Sequence, residues 1–252
     1  MIIQRHIKII EYIKQKGTAT LDELCNEFEV SKNTIRRDVN ELEEKGVLKK
    51  VYGGVIFNDK ESVVPLNVRQ TVLTVEKERI GREAARLVND NDIIIIDSGS
   101  TTVHMVKHLK NKQNVTIITN SISVVNEAYE YKNLNVILTG GILLRETSSV
   151  VGLDSVENIR KLNAKTAFIA ATGVSISKGL TNSSMFESEV KKSMVESADK
   201  IVLMVDSTKF NAVSLVTFLE LNRVNVIITD KEVEEEYKIY FEKNNINLIV
   251  AE

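Results

Sequence analysis

The chain has 252 residues, 43% of them hydrophobic and 27% charged, with a formal net charge of −2. That length supports one small and one medium domain, and no apolar run approaches the roughly 20 residues needed to cross a bilayer. A single cysteine excludes an intramolecular disulfide framework, and the N-terminus has no signal-peptide pattern, so a cytoplasmic protein is expected.

A slightly negative total does not exclude nucleic acid, because charge acts across a Debye length of about 8–10 Å. Residues 1–57 hold ten Lys/Arg and nine Asp/Glu. The acids lie mainly at 22–29 and 38–44, whereas 32–37 is purely basic.

Ile2, Ile3, Ile7, Ile9, Ile10 and Ile13 mark the apolar stripe of a first helix, ended by Gly17. Thr20 and Glu23 make a T-x-x-E capping box that opens a second helix, with Leu21, Leu24, Cys25 and Phe28 as its buried candidates. Cys25 has no Cys or His at ligand spacing and reads as core. Val30 falls in the turn, and Ser31 caps a third helix running to about residue 45. Ile35, Val39 and Leu42 face inward, which leaves Lys32, Asn33, Arg36 and Arg37 outward, and Gly46 stops the helix. VLKKVYGGVIF then reads as a β-hairpin with Gly53-Gly54 at the turn or its exit, carrying Lys49 and Lys50. The pattern is a winged helix-turn-helix whose third helix suits a DNA major groove. A three-helix bundle with a solvated charged face is the alternative. It would intersperse signs along the helix rather than gather cations at its start.

The run SKNTIRRDVNELEEKGVLKKVYGGV resembles the DNA-binding signature of the DeoR family of bacterial transcriptional regulators, and the match covers residues 1–57. The resemblance implies that Ser31, Asn33, Thr34, Arg36 and Arg37 contact double-stranded operator DNA. Lys32, Lys49 and Lys50 join them as candidates on charge alone.

Residues 58–75 show no sustained period, hold the only proline, Pro65, and read as a linker. Val63, Val64, Leu66 and Val68 suggest that it packs on something. From residue 76 to 252 a second domain is expected. Ile80, Ala84, Leu87 and Val88 mark a helix, and β-branched runs follow at 92–97, 115–119, 135–139, 166–171, 200–206, 224–229 and 247–250. Near-continuous Ile and Val suit a mostly parallel sheet covered on both faces, an α/β domain.

The strand exits are small and polar: Asp97-Ser98-Gly99-Ser100-Thr101-Thr102, Asn120-Ser121, Gly140-Gly141, Ala171-Thr172-Gly173 and Asp206-Ser207-Thr208-Lys209. Ligands of open α/β sheets bind outside the carboxyl ends of strands, so these exits predict a crevice for a phosphorylated sugar or polyol. DSGSTT reads as a phosphate cradle opening a helix over about 101–109, or else as an ordinary strand-to-helix turn. Lys209 and Arg145 could counter phosphate charge.

IIIIDSGSTT, IITNS, LTGGILLRETSSVVG, FIAATGVS, GLTNSSMFESEVKKSM and DSTKF resemble the DeoR sensor domain, which is similar in fold to ribose-5-phosphate isomerase and CoA transferases. The resemblance implies a sugar-phosphate effector held by Asp97, Gly99, Ser100, Thr101, Thr102, Asn120, Ser121, Gly140, Gly141 and Lys209. Glu187 and Glu189 match an acidic pair of the family; either reads a sugar hydroxyl or is a helix-start charge. The family usually has Thr-Pro-Asn after Gly-Leu-Thr, whereas this chain has Asn182-Ser183-Ser184.

His104 and His108 lie four apart, but with no third ligand they read as structural, and no metal or cofactor is expected. Asp97, Asp206, Glu187 and Lys209 could form an acid/base site, which keeps a sugar-phosphate isomerase as the alternative function. The expectation is otherwise not an enzyme. It is a repressor of a sugar or polyol catabolic operon, acting as a homodimer or homotetramer.

Overall fold

Apolar residues at helical spacing close the N-terminal part of the chain around Ile9, Ile13, Leu24, Ile35, Val39 and Leu42, all buried. The computed structural model describes residues 2–44, 47–57 and 66–252. The side chains of Ile2, Ile3, Ile7 and Val68, the stop at Gly46, and 58–65 with Val63, Val64 and Pro65 lie outside the described residues. The chain divides into two compact units, Met1–Val72 and Leu73–Glu252.

In the first unit, α1 (Ile2–Lys16) leads through β1 (Thr18–Ala19) into α2 (Leu21–Phe28) and α3 (Lys32–Glu44). The Thr20–Glu23 capping box forms in both directions, at 3.1 Å and 2.8 Å. Glu29 ends α2 in the left-handed conformation, at φ 50°. Ser31 accepts from the Thr34 amide at 3.3 Å, so its hydroxyl caps α3. β2 (Leu48–Val51) and β3 (Gly54–Phe57) form the wing hairpin, and β3 also pairs with β1. Gly53 takes φ +92° in the turn. Gly54 sits where a Cβ would lie 2.8 Å from the Ala19 carbonyl oxygen.

The first unit ends with α4 (Leu66–Thr71), where the sequence showed no period, and Leu66 is buried. The second unit opens beyond it. α5 (Thr74–Arg86) follows. Next come β4 (Ile93–Ile96), β5 (Val115–Thr119), α6 (Ile122–Ala128), β6 (Leu134–Leu138), β7 (Ile142–Leu144) and β8 (Ser149–Val151). α7 (Leu153–Arg160), β9 (Ala164–Ile169), β10 (Gly173–Ser175), β11 (Gly179–Asn182), α8 (Met185–Glu196) and β12 (Ala198–Met204) continue the chain. β13 (Val216–Leu219), β14 (Val226–Thr229), α9 (Glu235–Lys243) and β15 (Asn247–Val250) complete it.

The seven β-branched runs form one parallel sheet, in the order β15-β14-β12-β9-β4-β5-β6. Alternate residues feed opposite faces. Ile95, Ile118, Ala167 and Leu203 pack with α7, α8 and α9. Ile94, Ile96, Ile117, Phe168 and Val202 pack with α5, α6 and residues 102–109.

Two features refine the expectation. The helix that follows DSGSTT, Thr102–Leu109, is a 3₁₀-helix. The Thr102 hydroxyl is held by the Asp97 carboxylate at 2.7 Å at the start of the segment, and β-branched Thr101 and Val103 weaken α-helix preference. The chain also forms a β7–β8 hairpin and a small antiparallel sheet, β10-β11-β13, beside the parallel one.

Candidate DNA interface and effector crevice

Ser31, Lys32, Asn33, Arg36 and Arg37 are exposed on α3, Thr34 is half-buried, and Lys49 and Lys50 are exposed on the wing. Most of these polar groups already have partners. Ser31 and Thr34 share a hydroxyl–hydroxyl bond of 2.9 Å. Lys32 pairs with Asp22 at 2.6 Å, Arg37 with Glu41 at 3.3 Å, and Lys50 with Glu43. Lys50 holds the Glu43 carboxyl below its ordinary value through a side-chain and a backbone hydrogen bond. Among the described residues, Arg36 and Lys49 are the candidate cations without an ion pair. Exposed pairs of this kind contribute little and yield readily to phosphate.

Sequence reading passed over two further features. Tyr52, at the wing tip, is fully exposed beside the basic strand β2. Asp38 is buried on the inner face of α3, gripped by Arg5 and His6 of α1. The Arg5 guanidinium is raised above its already high value by that hydrogen bond to Asp38.

In the second unit, the strand order steps one way from β4 to β5 and β6, and the other way from β9 to β12, β14 and β15. Such a switch point opens a crevice beyond the strand ends. Asp97, which follows β4 there, is fully buried and has no free lone pair to offer. Its Oδ1 accepts from the Gly99 amide at 2.9 Å and the Thr102 hydroxyl at 2.7 Å. Its Oδ2 accepts from the Ala170 amide at 2.8 Å and from Lys191. The Lys191 ammonium also donates to the Ala170 carbonyl at 2.9 Å and lies 5.6 Å from the centre of the Phe218 ring. Asp97 is therefore a staple that shapes its loop, not a catalytic base. Gly99 serves the same fold, since a Cβ there would come within 2.5 Å of the Ala170 Cβ.

Ser98, Ser100, Thr101 and Thr102 are buried around this staple. Asn120 and Ser121 follow β5 and meet β8: Asn120 donates to the Val150 carbonyl at 3.1 Å, and Ser121 caps α6. β8 then reaches α8, because Ser149 donates to the buried Glu187 carboxylate at 3.0 Å and bonds Thr147 at 2.7 Å. Gly140 and Gly141 take φ +72° and +114° at the start of the β7–β8 hairpin. A Cβ on Gly141 would lie 2.4 Å from the Val151 carbonyl oxygen, so strand approach explains that glycine. Glu189 faces outward and pairs with Lys192 at 2.8 Å. Asp206 turns onto the Thr208 amide at 3.1 Å, and Lys209 stands half-buried in the next turn with no ion pair among the described residues. Arg145 is exposed at the hairpin end, and no polar contact of its side chain joins it to the other candidates among the described residues.

The Oδ1 atom of Asn120 and the Nδ2 atom of Asn182 are buried without a partner. Asn182 holds the Thr172 hydroxyl at 2.9 Å through its other amide atom. One orphan accepts and the other donates, which is what a ligand hydroxyl can satisfy. Lys191 and Ser149 escaped the sequence reading. The i, i+4 spacing of Glu187 and Lys191 on α8 was the available signal for Lys191. His104 and His108 both turn to Glu78, at 3.3 Å and 2.7 Å, and no metal-ligand cluster exists among the described residues.

Residues 5–61 match the family model for the DeoR-like helix-turn-helix domain, and residues 73–231 match the DeoR C-terminal sensor domain. The HTH-type transcriptional regulator IolR of Bacillus subtilis is 41% identical over 251 residues, covering 100% of both chains. The glycerol-3-phosphate regulon repressor of Escherichia coli is 30% identical over 227 residues, covering 90% of both. Ribose-5-phosphate isomerase A of Methanocaldococcus jannaschii superposes on 53% of the chain and 53% of its own, at 21% identity and a TM-score of 0.38. No described helix is long and apolar enough to cross a membrane. With a DNA-binding helix-turn-helix followed by a sensor domain, the chain belongs to the DeoR family of transcriptional regulators.

Proposed function

We propose that the chain represses a sugar or polyol catabolic operon in the cytoplasm and is released from its operator by a phosphorylated sugar or polyol. Ser31, Lys32, Asn33, Thr34, Arg36 and Arg37 would meet DNA from α3, and Lys49 and Lys50 from the wing. The first 57 residues would form the DNA-binding domain and 76–252 the sensor domain, joined through 58–75. The name of the relative that represses a glycerol-3-phosphate regulon supports a phosphorylated effector.

One observation carries the effector reading. Buried, partnerless amide atoms on Asn120, just past β5, and on Asn182, the last residue of β11, accompany a half-buried Lys209 in the turn after β12 with no ion pair among the described residues. Hydroxyls would satisfy the amides, and Lys209 would meet the phosphate near the amides of 98–102. Asp97, Gly99 and Gly141 would shape the site, with Ser98, Ser100, Thr101, Thr102, Ser121, Gly140 and Glu187 lining it. Arg145 would close over it only if its hairpin moves. Exposed Ile137 and Leu138 on the edge strand β6, with Ile142 and Leu143 on β7, support a homodimer or homotetramer.

The isomerase alternative loses Asp97 as a base, because both its oxygens are occupied, and would have to rely on Asp206, Glu187 or Lys209. Thermal-shift screening against pentose, hexose and polyol phosphates tests the proposal. A ligand at 100 times its Kd stabilises by about 2.7 kcal/mol. The matching compound should also release bound DNA, and a broad panel without any shift would overturn the effector reading.

A further inference from the structure

Asp38 lies on the inner face of α3 with Ile35, Val39 and Leu42 and is 2% exposed. Its Oδ2 accepts from Arg5 Nε, and its Oδ1 accepts from Arg5 Nη2 at 3.0 Å and lies 3.1 Å from His6 Nε2. Two adjacent residues of α1 thus grip one carboxylate of the DNA-facing helix. The network runs on to the surface: His6 Nε2 lies 3.8 Å from Glu41, which accepts from Arg37 at 3.3 Å.

Apolar packing alone leaves a helix some freedom to roll, because it is non-directional. A planar guanidinium fork on a carboxylate does not. Side-chain tips lie about 5–6 Å from the helix axis, so a roll of about 20° moves them by about 2 Å. That displacement breaks a base-edge hydrogen bond, while a long cation still reaches phosphate. Buried ion pairs are weak stabilisers, and setting register is their best-attested use.

We propose that Asp38 is a positioning residue whose grip on Arg5 and His6 sets the roll of α3, and with it sequence discrimination on DNA rather than DNA affinity as such. This rests on α3 being the base-reading helix. The test uses the full chain, a duplex selected by the wild-type protein from a randomised library, and a shuffled duplex of equal composition. Binding is followed by fluorescence anisotropy across salt, with thermal melting alongside. Arg5→Met with Asp38→Leu, and Asp38→Asn alone, should each lower the selected-to-shuffled ratio by about tenfold or more, the scale of one lost base contact. In the Arg5→Met, Asp38→Leu variant, which leaves no unpaired charge, melting, shuffled-duplex affinity and its salt slope should stay close to wild type.

A folded variant that keeps the wild-type ratio overturns the proposal. Failure of both variants to fold also overturns it, by making Asp38 a stability residue. Arg36→Ala separates the underlying reading. If Arg36→Ala keeps discrimination while the Asp38 variants lose it, the pin stands and the Arg36 assignment falls.

Discussion

Lys191 donates to both Asp97 Oδ2 and the Ala170 carbonyl oxygen, so the ends of β4 and β9 are tied together by an ammonium from α8. Both side chains are more than nine-tenths buried. Removing one partner leaves an uncompensated buried charge, which typically costs about 3–5 kcal/mol, whereas removing both leaves none. Asp97→Asn and Lys191→Met should each lower the urea-unfolding free energy by about that amount. The double variant Asp97→Asn, Lys191→Met should lose less than either. A double loss equal to the sum of the single losses would show that the two residues act independently.

Lys209 is a half-buried cation in the turn that follows β12 and carries no ion pair among the described residues. A charge-assisted hydrogen bond contributes about 1.5–3 kcal/mol. Lys209→Ala should therefore weaken the active sugar phosphate by roughly 10- to 150-fold in calorimetry, with operator binding unchanged. The prediction fails if the variant binds the phosphorylated ligand and its dephosphorylated counterpart as the wild type does.

Gly81 of α5 faces the 3₁₀-helix so closely that a Cβ would lie 2.7 Å from the His104 carbonyl carbon and 2.8 Å from the Met105 nitrogen. Alanine favours a helix by about 1 kcal/mol over glycine. Overpacking costs about 1–3 kcal/mol, and here the obstacle is backbone that cannot rotate away, so the clash wins. Gly81→Ala should destabilise the sensor unit and also weaken effector binding, because the displaced 3₁₀-helix begins at Thr102, which bonds Asp97. Unchanged effector affinity in a destabilised variant would uncouple α5 from the loop.

The central sheet was legible because its strands are apolar on both faces: runs such as IIII at 93–96 and VIIT at 226–229 leave little else for the chain to do. The three-residue strands β7, β8 and β10 were not legible, since their pairing depends on glycine turns and on partners distant in sequence. Site residues were easiest to name where they ended strands. Lys191 and Asp38 escaped because a charged residue in a helix ordinarily reads as solvated. Only three-dimensional partners, Asp97 for one and Arg5 for the other, make burial tolerable. The orphan atom of Asn182 stands where the chain departs from its family's usual loop, so resemblance could not have supplied it.

The contact between α5 and the 3₁₀-helix should also respond to pH. Burial lowers the His104 pKa below its ordinary 6.5, outweighing the raising effect of Glu78, while Lys77 and Lys107 lower it further. Burial pushes the Glu78 carboxyl up, but its bonds to Lys107 and His108 win and leave it below 4.5. In the unfolded chain His104 binds its proton more readily, so its contribution is present above about pH 6.5 and lost as pH falls below that value. The Glu78 contribution persists to lower pH and is lost only as pH falls through the carboxylate range. Between pH 7.5 and 5.5 the urea midpoint of the wild type should decline, and His104→Gln should flatten that decline without altering the later loss near pH 4. A His104→Gln curve that keeps the wild-type slope in this window would assign the titration to another group.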